Sequence, residues 1–230
     1  MYYEYLIMTK YETNNRHIYD ACIITSDVDK EALHDQKIIV VPNGVDTSYF
    51  TPVDVQKDID IVFTGNMGYF PNMEAAVYLC KTILTKVLKT YPDIKVYIVG
   101  ADPTSEVKAL ADNINIFVTG YVEDIRQYLN RAKLFVAPLC SGSGIQNKIL
   151  EAMACGLPVI TTSYGNAGVK AEDRKQLMIA QDVKDFEKIL HELIIDRDRR
   201  ESIGDCARFF VEKEFSWSNR AEKLESIYNG

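Results

Sequence analysis

Residues 141–160, SGSGIQNKILEAMACGLPVI, contain the side chains of this chain best suited to chemistry. A glycine-rich turn leads into a segment with helical spacing, on which Lys148 and Glu151 share one face. Lys148, in the first turn, could pair with a phosphate, and Glu151 could accept two hydrogen bonds from the vicinal hydroxyls of a ribose. The alternative interpretation is a Lys/Glu pair on a solvated helix, which stabilises a helix by only about 0.2–0.5 kcal/mol.

Glycines at the ends of strand-like runs indicate further loops of the same kind. They are Gly65, Gly100 and Gly120, together with Gly142 and Gly144 of the segment above. In an open parallel sheet, ligands bind outside the carboxyl ends of the strands, where glycine lets the backbone approach closely and helix N-termini favour anions. The sequence therefore predicts an anion-binding site built from these loops.

Two other motifs point to different ligands but fit them poorly. GSGIQN resembles a dinucleotide fingerprint, yet Asn147 replaces its third glycine and the next strand, PVITTS, has no acidic end. The Asp-x-Asp tripeptides at 27–29 and 58–60 have the oxygen ligands that a divalent metal prefers. Their positions, where a helix cap is expected and before a strand, favour capping and surface solvation. The sequence therefore predicts neither a nicotinamide cofactor nor a metal site.

The remaining residue types do not indicate nucleophilic catalysis. The five cysteines are odd in number and widely spaced, so neither a disulfide framework nor a zinc site is expected. Cys155 is interpreted as a small packing residue. The three histidines lie far apart and are expected to be solvent-exposed, and no serine, histidine and acid set can be assembled.

The elements that must position these loops follow from the hydrophobic pattern. Apolar runs alternate with helical patterns, and the runs are apolar on both faces, as in parallel strands covered on each side. The predicted strands are 60–65, 94–100, 114–120, 133–139, 158–162 and 177–180. The predicted helices are 75–88, 104–112, 123–132, 145–155, 183–195, 197–211 and 218–228. This pattern predicts an α/β fold: a Rossmann-like, doubly wound parallel sheet of about six strands with helices on both faces.

Composition restricts the class of partner. The chain has 230 residues, a formal net charge of -7 and a pI near 5.1, which argues against general affinity for nucleic acid or an anionic membrane. No apolar run is long enough for a membrane helix, and the opening residues lack the pattern of a signal peptide. A cytoplasmic protein is expected.

Several motifs together resemble one family. VPNGVDTSYFTP, IVFTG, VTGYVEDIRQYLNRAKLFVAPL, LEAMACGLPVITT and EFSWSNRAEKLESIY occur in this order and at this spacing in group 1 glycosyltransferases of the GT-B fold. The resemblance covers about residue 18 to the C-terminus. It implies two Rossmann-like domains facing across a cleft, the C-terminal one binding a nucleotide-sugar donor and the N-terminal one an acceptor.

The resemblance also implies a division of the chain. Residues 1–36 would be a remnant of the N-terminal acceptor domain, 37–59 an interdomain connector, and 60–214 the donor domain. Residues 215–230 would form the helix that returns toward the N-terminal domain. Without that domain, the apolar face of this helix is expected to be exposed or repositioned; the face consists of Trp217, Ala221, Leu224 and Ile227.

Site residues carry over from the family position by position. Glu151 matches the glutamate that binds the donor ribose, and Gly120, Tyr121 and Val122 match the loop that contacts the base. Gly65 and Asn66 match the first glycine loop of the donor domain. The turn Gly142, Ser143 and Gly144 matches the backbone that approaches the donor sugar and diphosphate.

Two departures from the family pattern bear on the donor. Ser143 stands where many members have a second glutamate that contacts the sugar, and GNMGYFPNMEA at 65–75 lacks the arginine and lysine that neutralise the diphosphate. Lys148 is expected to supply that charge, so Lys148 and Glu151 are the candidate catalytic residues. The sugar is therefore not fixed by the resemblance.

The function implied is transfer of a sugar with retention from a UDP-, GDP- or ADP-linked donor to a glycan or lipid-linked acceptor, in bacterial polysaccharide biosynthesis. No cofactor or metal is implied, and any peripheral membrane association would involve the absent domain. Two alternatives remain open: a non-catalytic nucleotide-sugar-binding or regulatory domain, and a sugar-nucleotide epimerase of the same fold.

Overall fold

The computed structural model describes residues 2–15, 18–35, 37–142 and 144–229, and a parallel six-stranded sheet forms its main body. A smaller N-terminal part precedes this sheet. Its elements are α1 (Tyr2–Asn15), β1 (Ile23–Ile24), α2 (Asp27–Leu33) and β2 (Ile39–Val40). β1 and β2 pair in parallel, with Ile23 opposite Ile39, and α2 connects them.

The main body alternates strands and helices along the chain. Its first half contains β3 (Ile59–Thr64), α3 (Phe70–Tyr78), α4 (Leu84–Thr90), β4 (Val96–Val99), α5 (Ser105–Lys108), β5 (Ile116–Val118) and α6 (Arg126–Arg131). Its second half contains β6 (Ala132–Ala137), α7 (Asn147–Ala154), β7 (Val159–Thr161), α8 (Ser163–Asn166), β8 (Met178–Ile179), α9 (Val183–Ile195), α10 (Arg197–Phe215) and α11 (Trp217–Tyr228).

The strand order places β3 beside both β4 and β6. The full order is β5-β4-β3-β6-β7-β8, and every neighbouring pair is parallel. After β3, the chain adds β4 and β5 on one side of it. The chain then crosses back and adds β6, β7 and β8 on the other side, so the order reverses between β3 and β6. The predicted doubly wound sheet of six strands is confirmed.

The apolar runs form strands because helices cover both faces of the sheet. In β3 and β6, the central pair, Ile61 lies opposite Leu134 and both are buried. Phe63 and Phe135 are fully buried, with ring centroids 6.2 Å apart. This central pair therefore anchors the loops that follow each strand.

The structure differs from the sequence-based expectation at several elements, among them the short helix α8, which was not predicted. The single helix expected over 75–88 is longer and is divided by a π-helical segment, Leu79–Ile83, between α3 and α4. The apolar run ACIITS at 21–26 predicts an isolated strand, but the structure pairs its residues Ile23 and Ile24 with β2. α1 was not predicted, because the apolar side chains of its sequence do not recur on one face.

The C-terminal helix α11 lies near residues 40–45. No residue of α11 is buried, and Trp217 is 54% exposed. The Lys223 ammonium donates to the Val40 carbonyl at 2.7 Å, and Val45 forms a parallel bridge with Ser216. Among the described residues, no helix has both the length and the apolar character needed to cross a membrane.

Candidate functional site

A cavity of about 510 Å³ lies at the carboxyl ends of β3 and β4. It is bounded by the glycine loops after these strands, by the first turn of α3, and by the first turn of α7, which follows β6. The strand order reverses between β3 and β6. Crevices at such a reversal are where open α/β sheets bind ligands.

The loops after β3 and β4 approach each other too closely for a side chain between them. A Cβ atom on Gly100 would lie 1.7 Å from the Gly65 carbonyl oxygen. The Gly65 N–H donates to the Val99 carbonyl at 3.0 Å, and the Gly100 N–H donates to the Gly120 carbonyl at 3.2 Å. Backbone therefore forms this side of the cavity, which lets a ligand come close to the main chain.

Asn66 lines the cavity as part of a fixed loop. Its Nδ2 donates to the Asp102 carboxylate at 2.9 Å, and its Oδ1 accepts from the Gly68 N–H at 2.8 Å. Its carbonyl oxygen accepts from the Asn72 amide at 2.9 Å. The Asn66 side chain thus holds the loop in shape, and it contributes to the site mainly through the position of the backbone.

Two helices point their N-termini at the cavity. The N-cap residues, Tyr69 for α3 and Gln146 for α7, provide no side-chain cap, and both line the cavity. In the first turns, the N–H groups of Asn72 and Ile149 donate to the N-cap carbonyls, and Pro71 has no N–H. Among the described residues, the N–H groups of Phe70, Asn147 and Lys148 therefore remain for a ligand to bind. The positive ends of two helix dipoles favour negative charge there, so the cavity suits phosphate groups.

Lys148 and Glu151 both line the cavity from α7 and are half-buried, unlike a pair on a solvated helix. The Lys148 ammonium donates to the Gln146 amide oxygen at 2.9 Å. Burial lowers the pKa of Lys148, and the nearby Glu151 carboxylate partly offsets this effect. Burial raises the pKa of Glu151, against the opposing effect of Lys148. A ligand that brings both phosphates and hydroxyls can therefore complete the interactions of both groups.

The loop after β5 contributes an exposed aromatic side chain to the site. Tyr121 is 78% exposed and lines the cavity together with Val122. Gly120 does not itself line the cavity, but its carbonyl binds the Gly100 N–H next to it. An exposed aromatic ring beside a phosphate-binding cavity offers a flat surface to a planar base.

Gly142 and Gly144 differ in the cavities that they line. Gly142 lines both the main cavity and a narrower one of about 130 Å³, whereas Gly144 lines only the narrower one. The other wall of the narrower cavity is the N-terminal segment, including Thr25, Ser26 and Pro42. Ser143, also predicted to belong to the site, lies outside the described residues.

Two polar residues of the cavity were not predicted from the sequence. Thr64 and Asn72 are 2% and 5% exposed, and both line the cavity. The Thr64 hydroxyl and the Asn72 amide oxygen have no hydrogen-bond partner within the described part of the chain. Pro71 marks the start of a helix after the glycine loop, and this signal could have placed Asn72 at the site.

The Asp-x-Asp tripeptides do not form a metal site in the described residues. Asp58 binds Arg131 at 2.6 Å, Asp60 binds Lys133 at 2.7 Å, and Asp27 pairs with Lys170. Over the described ranges, no group of three or more His, Cys, Asp or Glu side chains is placed to hold a metal ion. Asp27, Asp58 and Asp60 therefore form partly solvated ion pairs at the surface.

Comparison with known proteins gives the family of the chain. Residues 58–196 match the family described as glycosyl transferases group 1. A GDP-mannose-dependent monoacylated alpha-(1-6)-phosphatidylinositol monomannoside mannosyltransferase of Corynebacterium glutamicum is 30% identical over 210 residues, which cover 81% of this chain and 55% of that protein. The capsular polysaccharide biosynthesis glycosyltransferase CapM of Staphylococcus aureus is 31% identical over 145 residues, covering 60% of this chain and 38% of that protein.

A solved structure has the same fold. Staphylococcus aureus TarM, crystallised with UDP and alpha-GlcNAc-glycerol, superposes with a TM-score of 0.80 and 18% identity, over 96% of this chain and 46% of that one. The chain therefore spans about half the length of the relatives that it matches.

Proposed function

Because the chain belongs to the group 1 glycosyl transferases, we propose that it is the donor-binding half of an enzyme that transfers a sugar from a nucleotide-sugar donor with retention. The acceptor is a glycan or a lipid-linked molecule held by a further domain. One observation carries the proposal: two helix N-termini, Lys148 and Glu151 converge on a single cavity where the strand order reverses.

Each part of the donor has a matching part of the cavity. The diphosphate lies against the N-termini of α3 and α7, with Lys148 offsetting its charge. The ribose hydroxyls donate to the Glu151 carboxylate, whose ionised form accepts strong hydrogen bonds. The base lies beside the loop of Tyr121 and Val122. The sugar lies near the turn at 142–144.

The chemistry assigned to this half is charge stabilisation and positioning. As the bond between sugar and phosphate breaks, negative charge grows on the departing diphosphate. Lys148 and the first-turn N–H groups of α7 are already oriented towards that charge, so they stabilise it without rearranging. We assign no covalent nucleophile and no metal ion to this half.

The relatives suggest which donors to test. The mannosyltransferase from Corynebacterium glutamicum is named as GDP-mannose-dependent, and TarM was crystallised with UDP. CapM is named for capsular polysaccharide. We therefore propose a UDP-, GDP- or ADP-linked donor and a product that is part of a surface polysaccharide or glycolipid.

Calorimetric titration with UDP, GDP, ADP and NAD, each with and without Mg²⁺, tests the proposal. We expect saturable binding of one nucleoside diphosphate, equal with and without metal. Glu151→Gln should weaken it about tenfold or more, because a charge-assisted acceptor is lost. Glu222→Gln is the matched control, since Glu222 is an exposed glutamate of α11, outside the cavity.

Other outcomes separate the alternatives. Binding with no transfer to any acceptor, even when a partner domain is supplied, would favour a non-catalytic binding or regulatory domain. Preference for NAD would contradict the proposal, as would equal affinity of the wild-type chain and Glu151→Gln.

A further inference from the structure

A further polar cavity lies at the amino ends of the strands, on the opposite side of the sheet from the cavity of about 510 Å³ proposed to bind the donor, which is called the donor cavity below. Its volume is about 380 Å³, and it is lined by Ala132 and Lys133 at the start of β6, by Pro158 just before β7, and by Arg197 at the start of α10. Lys57 of the connector completes it. Because the donor cavity lies at the carboxyl ends of the strands, an occupant of this basic cavity would not compete with the donor.

The basic cavity concentrates positive charge in a chain with a formal net charge of -7. Four cationic side chains line it, with a single carboxylate, Glu201, among the lining residues; the cations are Lys57, Lys133, Arg197 and Arg200. Two of these cations have carboxylate partners. Lys133 binds Asp60 at 2.7 Å, and Arg197 binds Glu201 at 2.7 Å.

The other two cations, Lys57 and Arg200, have no carboxylate partner in the part of the chain that the structure describes. Arg200 donates instead to two neutral acceptors at the end of α9, the carbonyls of Leu193 at 2.5 Å and Ile194 at 2.8 Å. Burial lowers the pKa of the Lys57 ammonium and of the Arg200 guanidinium. The charges of Glu201, Asp196 and Asp60 partly offset this effect for Arg200, whereas no described carboxylate does so for Lys57. An anion in the cavity would therefore stabilise the Lys57 ammonium in particular.

We propose that the basic cavity binds a phosphate-bearing anion through Lys57 and Arg200. An ammonium and a guanidinium are the side-chain groups that best bind phosphate oxygens, the first as a point charge and the second as a fork of donors. The volume lies within the range of small-molecule sites, so there is room for the group that carries the phosphate. That group is either a soluble phosphate ester or a lipid headgroup.

Heteronuclear NMR of the isotope-labelled chain tests the site with inorganic phosphate at constant ionic strength. We expect saturable shifts in the amide signals of Gly156, Leu157 and residues 197–201, which surround the basic cavity. Lys57→Gln should weaken phosphate binding about tenfold, because a charged contact is lost. Lys57→Arg should stay close to wild type. Arg200 is left intact, since its bonds to α9 serve the fold.

Two further measurements make the test specific. Lys188→Gln removes an exposed lysine of α9 that does not line the basic cavity, and it should bind phosphate like the wild type. Nucleoside diphosphate binding should be unchanged in Lys57→Gln. This second result separates the basic cavity from the donor cavity, so the present inference can fail while the proposed function stands.

Vesicles distinguish the two sources of the phosphate. Sedimentation with phosphatidylcholine vesicles, with and without phosphatidylglycerol, shows whether a headgroup binds. Lys57-dependent binding to the anionic vesicles would identify a lipid headgroup, and phosphate-induced shifts without vesicle binding would identify a soluble ester. Absence of both, or equal phosphate affinity in wild type and Lys57→Gln, would overturn the inference.

Discussion

Lys148 and Glu151 lie one helical turn apart in the donor cavity, yet we assign them to different parts of one ligand. This assignment predicts that their variants respond differently to a nucleoside and to its diphosphate. Lys148→Met should weaken the diphosphate about tenfold or more and leave the nucleoside unchanged, because only the phosphates contact the ammonium. Glu151→Gln should weaken both ligands by the same factor. Calorimetric titration with both ligands measures the difference.

The matched control for Lys148→Met is Lys188→Met, on the surface of α9. An equal loss for nucleoside and diphosphate in Lys148→Met would contradict the assignment. It would indicate that Lys148 supports the shape of the site through its bond to Gln146.

The shifted pKa values of the same two residues predict a narrow pH range for binding. Burial raises the pKa of Glu151, so acidification protonates this carboxylate at a higher pH than an ordinary glutamate and weakens its bonds to the ribose. Burial lowers the pKa of Lys148, so its charge is lost at a lower pH than that of an ordinary lysine. The association constant should therefore be bell-shaped in pH.

Each limb of this profile can be assigned with a variant. Protonation of the ligand phosphate also weakens binding at acidic pH. Glu151→Gln should therefore remove only the part of the acidic decrease in affinity that is due to Glu151, and Lys148→Met should remove the alkaline decrease. Isothermal titration across the pH range measures both. Limbs that are unchanged in the variants would show that other groups titrate.

At the scale of elements, the donor cavity depends on the close approach of the loops after β3 and β4. Gly100→Ala would place a Cβ atom 1.7 Å from the Gly65 carbonyl oxygen, so one loop would have to move. We expect a loss of about 3–5 kcal/mol in the free energy of unfolding, with nucleotide binding abolished. Urea denaturation measures the first effect and calorimetry the second.

Gly120→Ala is the control for this prediction. Gly120 also has a positive φ, but no atom lies within 4 Å of its added Cβ. Its cost should be limited to backbone strain, about 1–2 kcal/mol. Similar losses in both variants would show that strain alone, without the contact to Gly65, determines the effect.

The strands were more predictable than the loops because their signal is local. Runs that are apolar on both faces identify a covered parallel strand wherever they occur. Four of the six strands of the sheet fall within the predicted runs, and β3 and β6 each begin one residue before theirs. The π-helical segment, Leu79–Ile83, left no such signal, because its apolar residues fit ordinary helical spacing as well. The pairing of β1 with β2 depends on a contact between segments that the sequence pattern does not relate.

The residues that we propose for the donor cavity could be grouped from the sequence for a different reason. The glycines and the Lys148/Glu151 pair are visible in the sequence, and the rule for parallel sheets places all of them at one edge. The bond of Asn66 to Asp102 joins two loops that are 36 positions apart, and no periodicity indicates it. Burial of Thr64 and Asn72 likewise follows from packing in three dimensions.

At the scale of the whole molecule, burial divides the chain into two parts. The central strands of the six-stranded sheet are almost entirely buried, with Ile59, Ile61 and Phe63 of β3 at 0% exposure. In contrast, α11 has no buried residue, and the apolar side chains of α1 are largely exposed, including Tyr3, Tyr5 and Tyr11. Regions with few buried apolar contacts open at lower free energy than the core.

Trp217 makes this division measurable, because it is the single tryptophan of the chain and begins α11. A Cβ atom added to Gly44 would lie about 3.0 Å from the Trp217 ring. The fluorescence of Trp217 therefore reports on the contact between α11 and the segment around Gly44. We expect the urea midpoint from tryptophan fluorescence to lie below the midpoint from far-UV circular dichroism, which follows all the helices.

Hydrogen exchange provides an independent check, with α11 amides exchanging faster than those of β3 before any urea is added. Coincident midpoints together with equal protection would contradict the prediction, because they would show that α11 and the sheet unfold as one cooperative unit.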